Sequence, residues 1–220
     1  MLSYSQRRSR MGPRMAQAWE RHRDEWWIPD AAVDDPGFDL RSWFGREAPL
    51  LVEVGSGVGE ATATLAAARP SYDVLGLEVW LPGVADTFYR LEQADVSNVR
   101  MMSLDAAWVV EHLLGEGSVS ELWTFFPDPW PKKRHHRRRL VGPEFARVAA
   151  SRLERGGRWR LATDWSDYAA RMLEVLEAEP LLENAHDGAA PRWDERPVTR
   201  FERRGLDAGR TVTDLTFLRG

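Results

Sequence analysis

The alternation of short apolar runs with longer amphipathic segments is the feature that most constrains the fold of this chain. The short runs are aliphatic and β-branched and predict strands, whereas the longer segments repeat apolar residues at helical spacing. The predicted strands are 50–54, 73–78, 99–104, 122–126 and 158–163, and helices are predicted to end near 69, 94, 114, 154 and 177. Strands that alternate with helices favour a mostly parallel sheet with right-handed crossovers.

Two more strand candidates, Leu181–Ala185 and Thr211–Leu218, close the chain. No strong helix pattern lies between them, so the sequence predicts an antiparallel, hairpin-like finish. The expected fold is therefore α/β and Rossmann-like: a mostly parallel seven-stranded sheet with helices on both faces and an antiparallel last strand.

Length and composition fit a soluble globular protein. The chain has 220 residues, of which 43% are hydrophobic and 29% are charged, enough for one α/β domain. No run of 18 apolar residues and no apolar leader occur, so we expect neither a membrane span nor secretion. The absence of cysteine excludes disulfides and cysteine-based zinc sites, which suits a cytoplasmic protein.

Positive charge is concentrated in two places although the net charge is −4. Residues 1–23 contain six arginines against the single acid Glu20, and residues 132–139 contain six Lys or Arg. Such asymmetry indicates an anionic partner at one face. We expect residues 1–48 to be an Arg-rich extension, partly disordered or ordered by that partner and docked through Trp26 and Trp27, and residues 49–220 to be the folded domain.

The stretch from Trp123 to Arg139 joins a buried strand to a dense cationic run. Pro127, Pro129 and Pro131 forbid helix and continued sheet, because each lacks an N–H group and fixes φ. They predict a rigid loop that carries Asp128 and Trp130. In open α/β sheets ligands bind beyond the carboxyl ends of strands, so this loop indicates a polyanionic substrate delivered to a small polar pocket.

Two readings of Trp130 remain open from the sequence: its indole stacks on a nucleic-acid base, or it packs the loop. His135 and His136 are more typical of phosphate contacts or solvated side chains than of catalysts in such a run.

A glycine-rich turn, Gly55-Ser56-Gly57-Val58-Gly59, follows the first predicted strand. Nicotinamide sites, S-adenosylmethionine (SAM) sites and plain tight turns all use such a turn. The spacing here is Gly-x-Gly-x-Gly rather than the dinucleotide pattern G-x-G-x-x-G. Glu53 stands two residues before the first glycine, where a carboxylate would repel a pyrophosphate and attract the positively charged groups of SAM.

Acidic residues also follow the next three strands. Glu78 comes 21 residues after Gly57, where a carboxylate can accept both hydroxyls of a ribose, and Asp105 is placed to bind an adenine amino group. Asp128 follows the fourth strand. We expect the four carboxylates to line one crevice.

These residues resemble those of the bacterial tRNA (guanine-N7-)-methyltransferases, which are class I SAM-dependent enzymes. The most specific part of the resemblance is the run Pro-Asp-Pro-Trp-Pro-Lys-Lys-Arg-His. The segments that carry the likeness are Val52–Gly57, Gly76–Val79, Asp105-Ala106, Phe126–His135, Ala162–Trp165 and Arg196–Gly205, and together they span the chain from about Leu50 to its end.

The resemblance implies a role for each matching residue. The cofactor would be SAM, bound by Glu53, Gly55, Gly57, Glu78, Asp105 and Asp128, with Asp128 also catalytic. The substrate guanine would contact Lys132, Asp164, Thr199, Arg200, Phe201 and Glu202. The tRNA would contact Arg134, His135, His136, Arg137, Arg138 and Arg139. The target would be the guanine at position 46 of the variable loop.

The chemistry fits the residue types. Guanine N7 has a lone pair and no proton, so its methylation needs no general base, and anions near the migrating charge help most. An adenine-N6 enzyme would instead need a neutral amide in this loop. We expect tRNA as partner, no metal, no association with membranes, and a monomer or weak homodimer.

Two alternatives stay open at this point. A nicotinamide-dependent oxidoreductase shares the fold and the ribose-binding acid. A non-catalytic RNA-binding protein could retain an old SAM pocket.

Overall fold

The structure, a computed structural model, describes residues 10–220. Its strands are β1 (Leu50–Val54), β2 (Asp73–Leu77), β3 (Val99–Met102), β4 (Val119–Phe125), β5 (Leu153–Thr163), β6 (Leu182–Asn184) and β7 (Thr213–Arg219). Its α-helices are α1 (Pro13–Trp26), α2 (Glu60–Ala67), α3 (Leu81–Gln93), α4 (Ala106–His112), α5 (Pro143–Arg152), α6 (Ser166–Glu177) and α7 (Arg200–Asp207). Among these residues no helix is both long and apolar enough to cross a membrane.

The strands form a seven-stranded sheet in the order β3-β2-β1-β4-β5-β7-β6. Strand β7 runs antiparallel to β5 and to β6, whereas the pairs β1–β2, β2–β3 and β4–β5 are parallel. The predicted α/β class and the antiparallel last strand are confirmed. The chain divides into two compact units, one ending at Ala106 and one running from Ala107 to Gly220.

The first unit is built on three parallel strands. Every residue of β1 and β2 is buried, as expected for parallel strands covered on both faces. The register pairs Leu50 with Asp73 and Val74 with Val99. This arrangement brings the carboxyl ends of β1, β2 and β3 to one edge, where the predicted cofactor residues follow.

Helix α1 is a docked part of the first unit. Its Arg14 pairs with Asp86 of α3 at 2.6 Å, and Arg21 pairs with Glu92 at 2.8 Å. Trp19 stacks on Phe88, and the Ile28 N–H donates to the Met101 carbonyl. Two arginines of the predicted RNA-binding extension therefore serve internal contacts, whereas Arg7 and Arg8 lie outside the described residues. The division at residue 48 stays a prediction.

The second unit packs its helices against β4, β5 and β7. Trp123, Trp159 and Phe217 are fully buried at its centre. Strands β4 and β5 begin earlier than predicted, at Val119 and Leu153. Val119 pairs with Leu153, and the register then shifts so that Glu121 pairs with Arg158. The sequence predicts that Gly156-Gly157 end the preceding helix. Helix α5 ends earlier, at Arg152, and Gly156 lies in the irregular part of β5 with a left-handed φ of 76°.

The prediction that no helix lies between the last two strands is wrong. Helix α7 occupies eight residues there, and its N-cap Thr199 accepts a hydrogen bond from the Glu202 N–H. Its apolar residues are too few for helical periodicity to reveal it. The stretch between residues 29 and 49 contains two short 3₁₀ helices, Asp30–Asp34 and Leu40–Trp43.

Gly83 of α3 lies against the glycine turn, and a substitution there tests whether the fold needs this close approach. A Cβ at position 83 would overlap the Gly57 carbonyl oxygen and lie 2.9 Å from the Trp80 ring. We expect Gly83→Ala to lower the free energy of unfolding by about 1–3 kcal/mol, as overpacking does, despite the better helix propensity of alanine. Urea unfolding measures the change.

Gly115→Ala is the matched control, since a Cβ there would meet nothing closer than 3.8 Å. Equal stability of the two variants would show that α3 does not need the close approach.

Candidate active site

The glycine turn after β1 is held by the end of β2. The N–H groups of Gly55 and Ser56 both donate to the Leu77 carbonyl, at 2.8 and 3.2 Å. Gly55 and Gly57 have φ values of 75° and 63°, a left-handed conformation that residues with a Cβ rarely adopt. Glycine therefore stands where the chain must reverse sharply before α2.

The Glu78 carboxylate fixes this turn to the chain beyond β2. One oxygen, Oε2, accepts from the Gly57 N–H at 2.8 Å, and the other accepts from the Trp80 N–H at 2.8 Å. Each carboxylate oxygen has a second lone pair. Glu78 is therefore oriented by two backbone donors beside the glycine turn.

Glu53 is buried within the first unit, with an exposed fraction of only 2%. Its Oε2 accepts a hydrogen bond from the Thr62 hydroxyl at 2.5 Å. Burial raises the pKa of Glu53 from 4.5 to about 7, the Thr62 bond opposes that rise, and the charge of Glu78 adds to it. Near neutral pH this carboxyl is therefore partly protonated, which the sequence does not reveal.

A buried hydroxyl in the same turn has no partner. Ser56 Oγ is buried and finds no hydrogen-bond partner among residues 10–220. Asp105 follows β3 and directly precedes α4. An unsatisfied hydroxyl, an oriented carboxylate and left-handed glycines fit a ligand that carries hydroxyl groups and positive charge, such as SAM.

In the second unit, the loop after β4 is bent by two aromatic residues in left-handed conformation. Phe126 has φ 52° and Trp130 has φ 44°. The Phe126 N–H donates to the Ala162 carbonyl of β5 at 2.7 Å. Asp128 lies between these residues, half-buried, on the rigid loop that the prolines predict.

The cationic run folds as a 3₁₀ helix over Lys133–Arg138, directly after this loop. The side chains of Lys132, Lys133, Arg134 and Arg137 are exposed. The Arg138 guanidinium lies over the Trp130 ring, 3.7 Å from its centroid. Partial burial and the charges of Arg134 and Arg138 lower the pKa of His135, so its ring is neutral at pH 7.

Arg139 differs from the other predicted RNA-binding residues. Its side chain is only 4% exposed and pairs with Asp167 at 2.5 Å. Its Nε donates to the Pro129 carbonyl at 2.8 Å. Arg139 therefore ties the loop of Asp128 to α6, and its guanidinium is occupied within the protein.

The predicted substrate segment, Thr199 to Glu202, forms the start of α7. Glu202 is buried and accepts hydrogen bonds from Arg192 Nε at 2.9 Å and from Arg196 Nη1 at 2.6 Å. The fully buried Arg196 also donates from Nη2 to both oxygens of Asp214, each at 3.0 Å. Asp164 is held by Arg210 at 2.8 Å on the residues that follow α7. Buried ion pairs thus fix this segment.

Comparisons with known proteins identify the family. A family model described as "Putative methyltransferase" matches residues 47–215. A tRNA (guanine-N(7)-)-methyltransferase of Nocardioides sp. is 58% identical over 219 residues, covering 100% of this chain and 87% of that protein. The chain belongs to the tRNA (guanine-N7-)-methyltransferase family. The enzyme of the same name from Bordetella pertussis is 46% identical, with 99% of this chain and 84% of that protein covered.

Solved structures share the fold of this family. The 16S rRNA methyltransferase KamB superposes with a TM-score of 0.59 at 17% identity, covering 82% of this chain and 93% of KamB. The 16S rRNA (adenine(1408)-N(1))-methyltransferase of Catenulisporales acidiphilia gives a TM-score of 0.56 at 16% identity, with coverages of 83% and 92%. The predicted class I methyltransferase fold is confirmed, and the oxidoreductase alternative is wrong.

Sequence reasoning missed the residues that support the site. Thr62, Arg192, Asp167 and Arg210 each bind a predicted site residue. Asp214 binds Arg196, which in turn binds Glu202. Most of these contacts join residues far apart in the chain, so no spacing rule reveals them. Thr62, Arg192 and Arg196 lie within ten residues of the site residue that they bind. Within residues 10–220, no group of three or more His, Asp or Glu side chains is placed to hold a metal.

The raised pKa of Glu53 predicts a pH-dependent stability. Because the folded-state pKa is about 7 and the unfolded one 4.5, the neutral carboxyl stabilises the fold fully below pH 4.5, and this contribution is lost as the pH rises through 7. We expect Glu53→Gln, which cannot ionise, to gain about 2–3 kcal/mol of unfolding free energy relative to wild type between pH 5 and pH 8.

Urea unfolding at the two pH values measures this difference. Glu47→Gln, an exposed carboxyl in the same unit, should stay within about 0.5 kcal/mol of wild type at both. If the difference in unfolding free energy between Glu53→Gln and wild type is the same at both pH values, the raised pKa of Glu53 is contradicted.

Replacement of Arg196 tests how much the buried ion pairs contribute to the free energy of unfolding. Arg196→Met leaves Glu202 without one of its two arginines and Asp214 without its bidentate partner, so we expect a loss of about 3–5 kcal/mol in unfolding free energy. Arg171→Met breaks the solvent-exposed pair with Glu174 and should cost less than about 1 kcal/mol. Thermal unfolding compares the two variants. A loss of unfolding free energy for Arg196→Met as small as that for Arg171→Met would show that the buried ion pairs contribute little to stability.

Proposed function

We propose that the protein methylates N7 of guanine 46 in the variable loop of tRNA, with SAM as the methyl donor. The observation that carries the proposal is the stretch from Asp128 to Arg138: a loop with a carboxylate that passes directly into a helix of exposed cations. The family membership supports the reaction, and the exposed cations fit an RNA backbone. With tRNA as substrate, we propose that the enzyme acts in the cytoplasm, as a monomer or weak homodimer.

The first unit supplies the groups that would hold the cofactor. Glu78, oriented by the N–H groups of Gly57 and Trp80, would bind the ribose hydroxyls, and the turn from Gly55 to Gly57 allows close approach of the backbone. Asp105 would bind the adenine amino group. When bound, SAM supplies a methyl group on a positively charged sulfur, and the N7 lone pair displaces the sulfur from it.

The role of Asp128 follows from the charge that moves in this reaction. The guanine ring gains a positive charge as the methyl group arrives, and a fixed carboxylate beside it stabilises the transition state. No proton leaves N7, so Asp128 need not act as a base. The left-handed residues on both sides of Asp128 and the bond from Arg139 to the Pro129 carbonyl hold the backbone that carries this carboxylate, which contributes to alignment.

Among the remaining predicted substrate residues, Asp164 suits guanine recognition. The N1–H and N2 amino groups of guanine are donors and need acceptors, and Asp164 is a fixed carboxylate that suits them. Arg200 lies over the Phe201 ring at 4.8 Å in the first turn of α7. Thr199 caps that turn, and the buried Glu202 fixes it through its bonds from Arg192 and Arg196. Lys132 is an exposed cation at the end of the Asp128 loop.

Asp128→Ala tests the proposal. We expect methyl transfer to fall at least a hundredfold, the range found when one preorganised electrostatic interaction is removed, while tRNA affinity stays within about threefold. The measurement is incorporation of labelled methyl groups from SAM into unmodified tRNA, followed by mapping of the alkali-labile 7-methylguanine.

Asp187→Ala, an exposed carboxylate in the same unit, is the control and should retain full turnover. Full turnover by Asp128→Ala would remove Asp128 from catalysis. Wild-type protein that binds tRNA and incorporates no methyl group would support the non-catalytic RNA-binding alternative, and a label at another guanine would contradict position 46.

A further inference from the structure

The Trp130 ring is already engaged by the cationic helix. The Arg138 guanidinium covers one face of the indole, 3.7 Å from the ring centroid. The His135 ring meets the indole edge-on, with centroids 5.9 Å apart. Both partners belong to the 3₁₀ helix Lys133–Arg138, so the indole touches that helix at two points.

The backbone of Trp130 supports this arrangement. Its φ of 44° is left-handed, an unfavourable conformation for a residue with a bulky side chain, which persists only where the surroundings enforce it. The preceding residue is held as well, because the Pro129 carbonyl accepts from Arg139 Nε at 2.8 Å. Arg138 and Arg139 thus bind two successive residues of the loop: Arg138 contacts the Trp130 ring, and Arg139 donates to the Pro129 carbonyl.

We propose that Trp130 is a positioning residue for RNA binding: its indole, on the loop that carries Asp128, holds the Arg138 guanidinium in position for an RNA phosphate. The proposal rests on the proposed function, since it assumes that the cations bind tRNA phosphates. A flexible arginine loses conformational freedom when it binds a phosphate, and an arginine already ordered on a ring loses less. The covered indole face argues against stacking on a base in this arrangement.

The salt dependence of tRNA binding separates the two roles. The logarithm of affinity falls with the logarithm of salt concentration, with a slope that shrinks by about 0.7–0.9 for each phosphate that the protein no longer binds. Stacking on a base involves no phosphate, so its removal leaves the slope unchanged. A positioning role acts through Arg138, so its removal makes the slope shallower.

The experiment measures tRNA affinity of the full chain at several salt concentrations for Trp130→Leu, Arg138→Gln and the double variant. We expect each single variant to bind about three- to thirtyfold more weakly, the range of a guanidinium on an indole. Each should also have a shallower slope. The double variant should bind no more than about twofold more weakly than Arg138→Gln, because the two residues act as one unit.

Arg137 provides the matched control, since it is an exposed arginine of the same helix. The effects of Trp130→Leu and Arg137→Gln should multiply in the double variant. Trp130→Phe keeps an aromatic face, which binds cations more weakly than indole does, and should fall between wild type and Trp130→Leu. It also keeps the test valid if Trp130→Leu fails to fold.

An unchanged salt slope in Trp130→Leu or Trp130→Phe, or effects of Trp130 and Arg138 that multiply, would overturn the inference and favour stacking. These outcomes leave the proposed function intact. Failure of the wild-type protein to bind tRNA would overturn the inference and the proposed function together.

Discussion

The second unit depends on one buried cation. The Arg196 guanidinium is fully buried and reaches Glu202 of α7 and Asp214 of β7, and it lies within 5.5 Å of the ring centroids of Phe125 and Phe126. A buried charge is tolerated only when it is paired, and here both carboxylates and two aromatic faces surround it. Through this side chain the start of α7, the last strand and the end of β4 are fixed to one another.

That arrangement explains why a short polar helix can be ordered. Helix α7 is eight residues long and contains Arg200, Arg203 and Arg204, so isolated helix formation is unfavourable. The Thr199 cap, the two arginines on Glu202 and the pair between Asp164 and Arg210 replace the apolar packing that usually holds a helix. The segment predicted to bind the guanine thus has a fixed shape before any ligand arrives.

The sequence predicts the features that depend on local pattern and misses those that depend on distant contacts. The strands β1 to β4, the glycine turn and the proline-braced loop follow from periodicity and from the backbone limits of glycine and proline. Helix α7 escapes prediction because its order comes from Arg196 and Asp164. The burial of Glu53 beside Thr62 and of Arg139 beside Asp167 cannot be predicted either, because the identity of a charged residue does not reveal whether its side chain is exposed to solvent.

The buried carboxyl of Glu53 has a consequence for how a charged ligand and its neutral counterpart would be distinguished. A cation near this group would draw off its proton and then be attracted by the ionised form, whereas an uncharged ligand would leave the proton in place. The sulfur of a methyl donor is positive before transfer and neutral afterwards. A carboxyl whose pKa burial raises to about 7 would therefore be ionised beside a cation and protonated beside its neutral counterpart, with proton uptake accompanying that change.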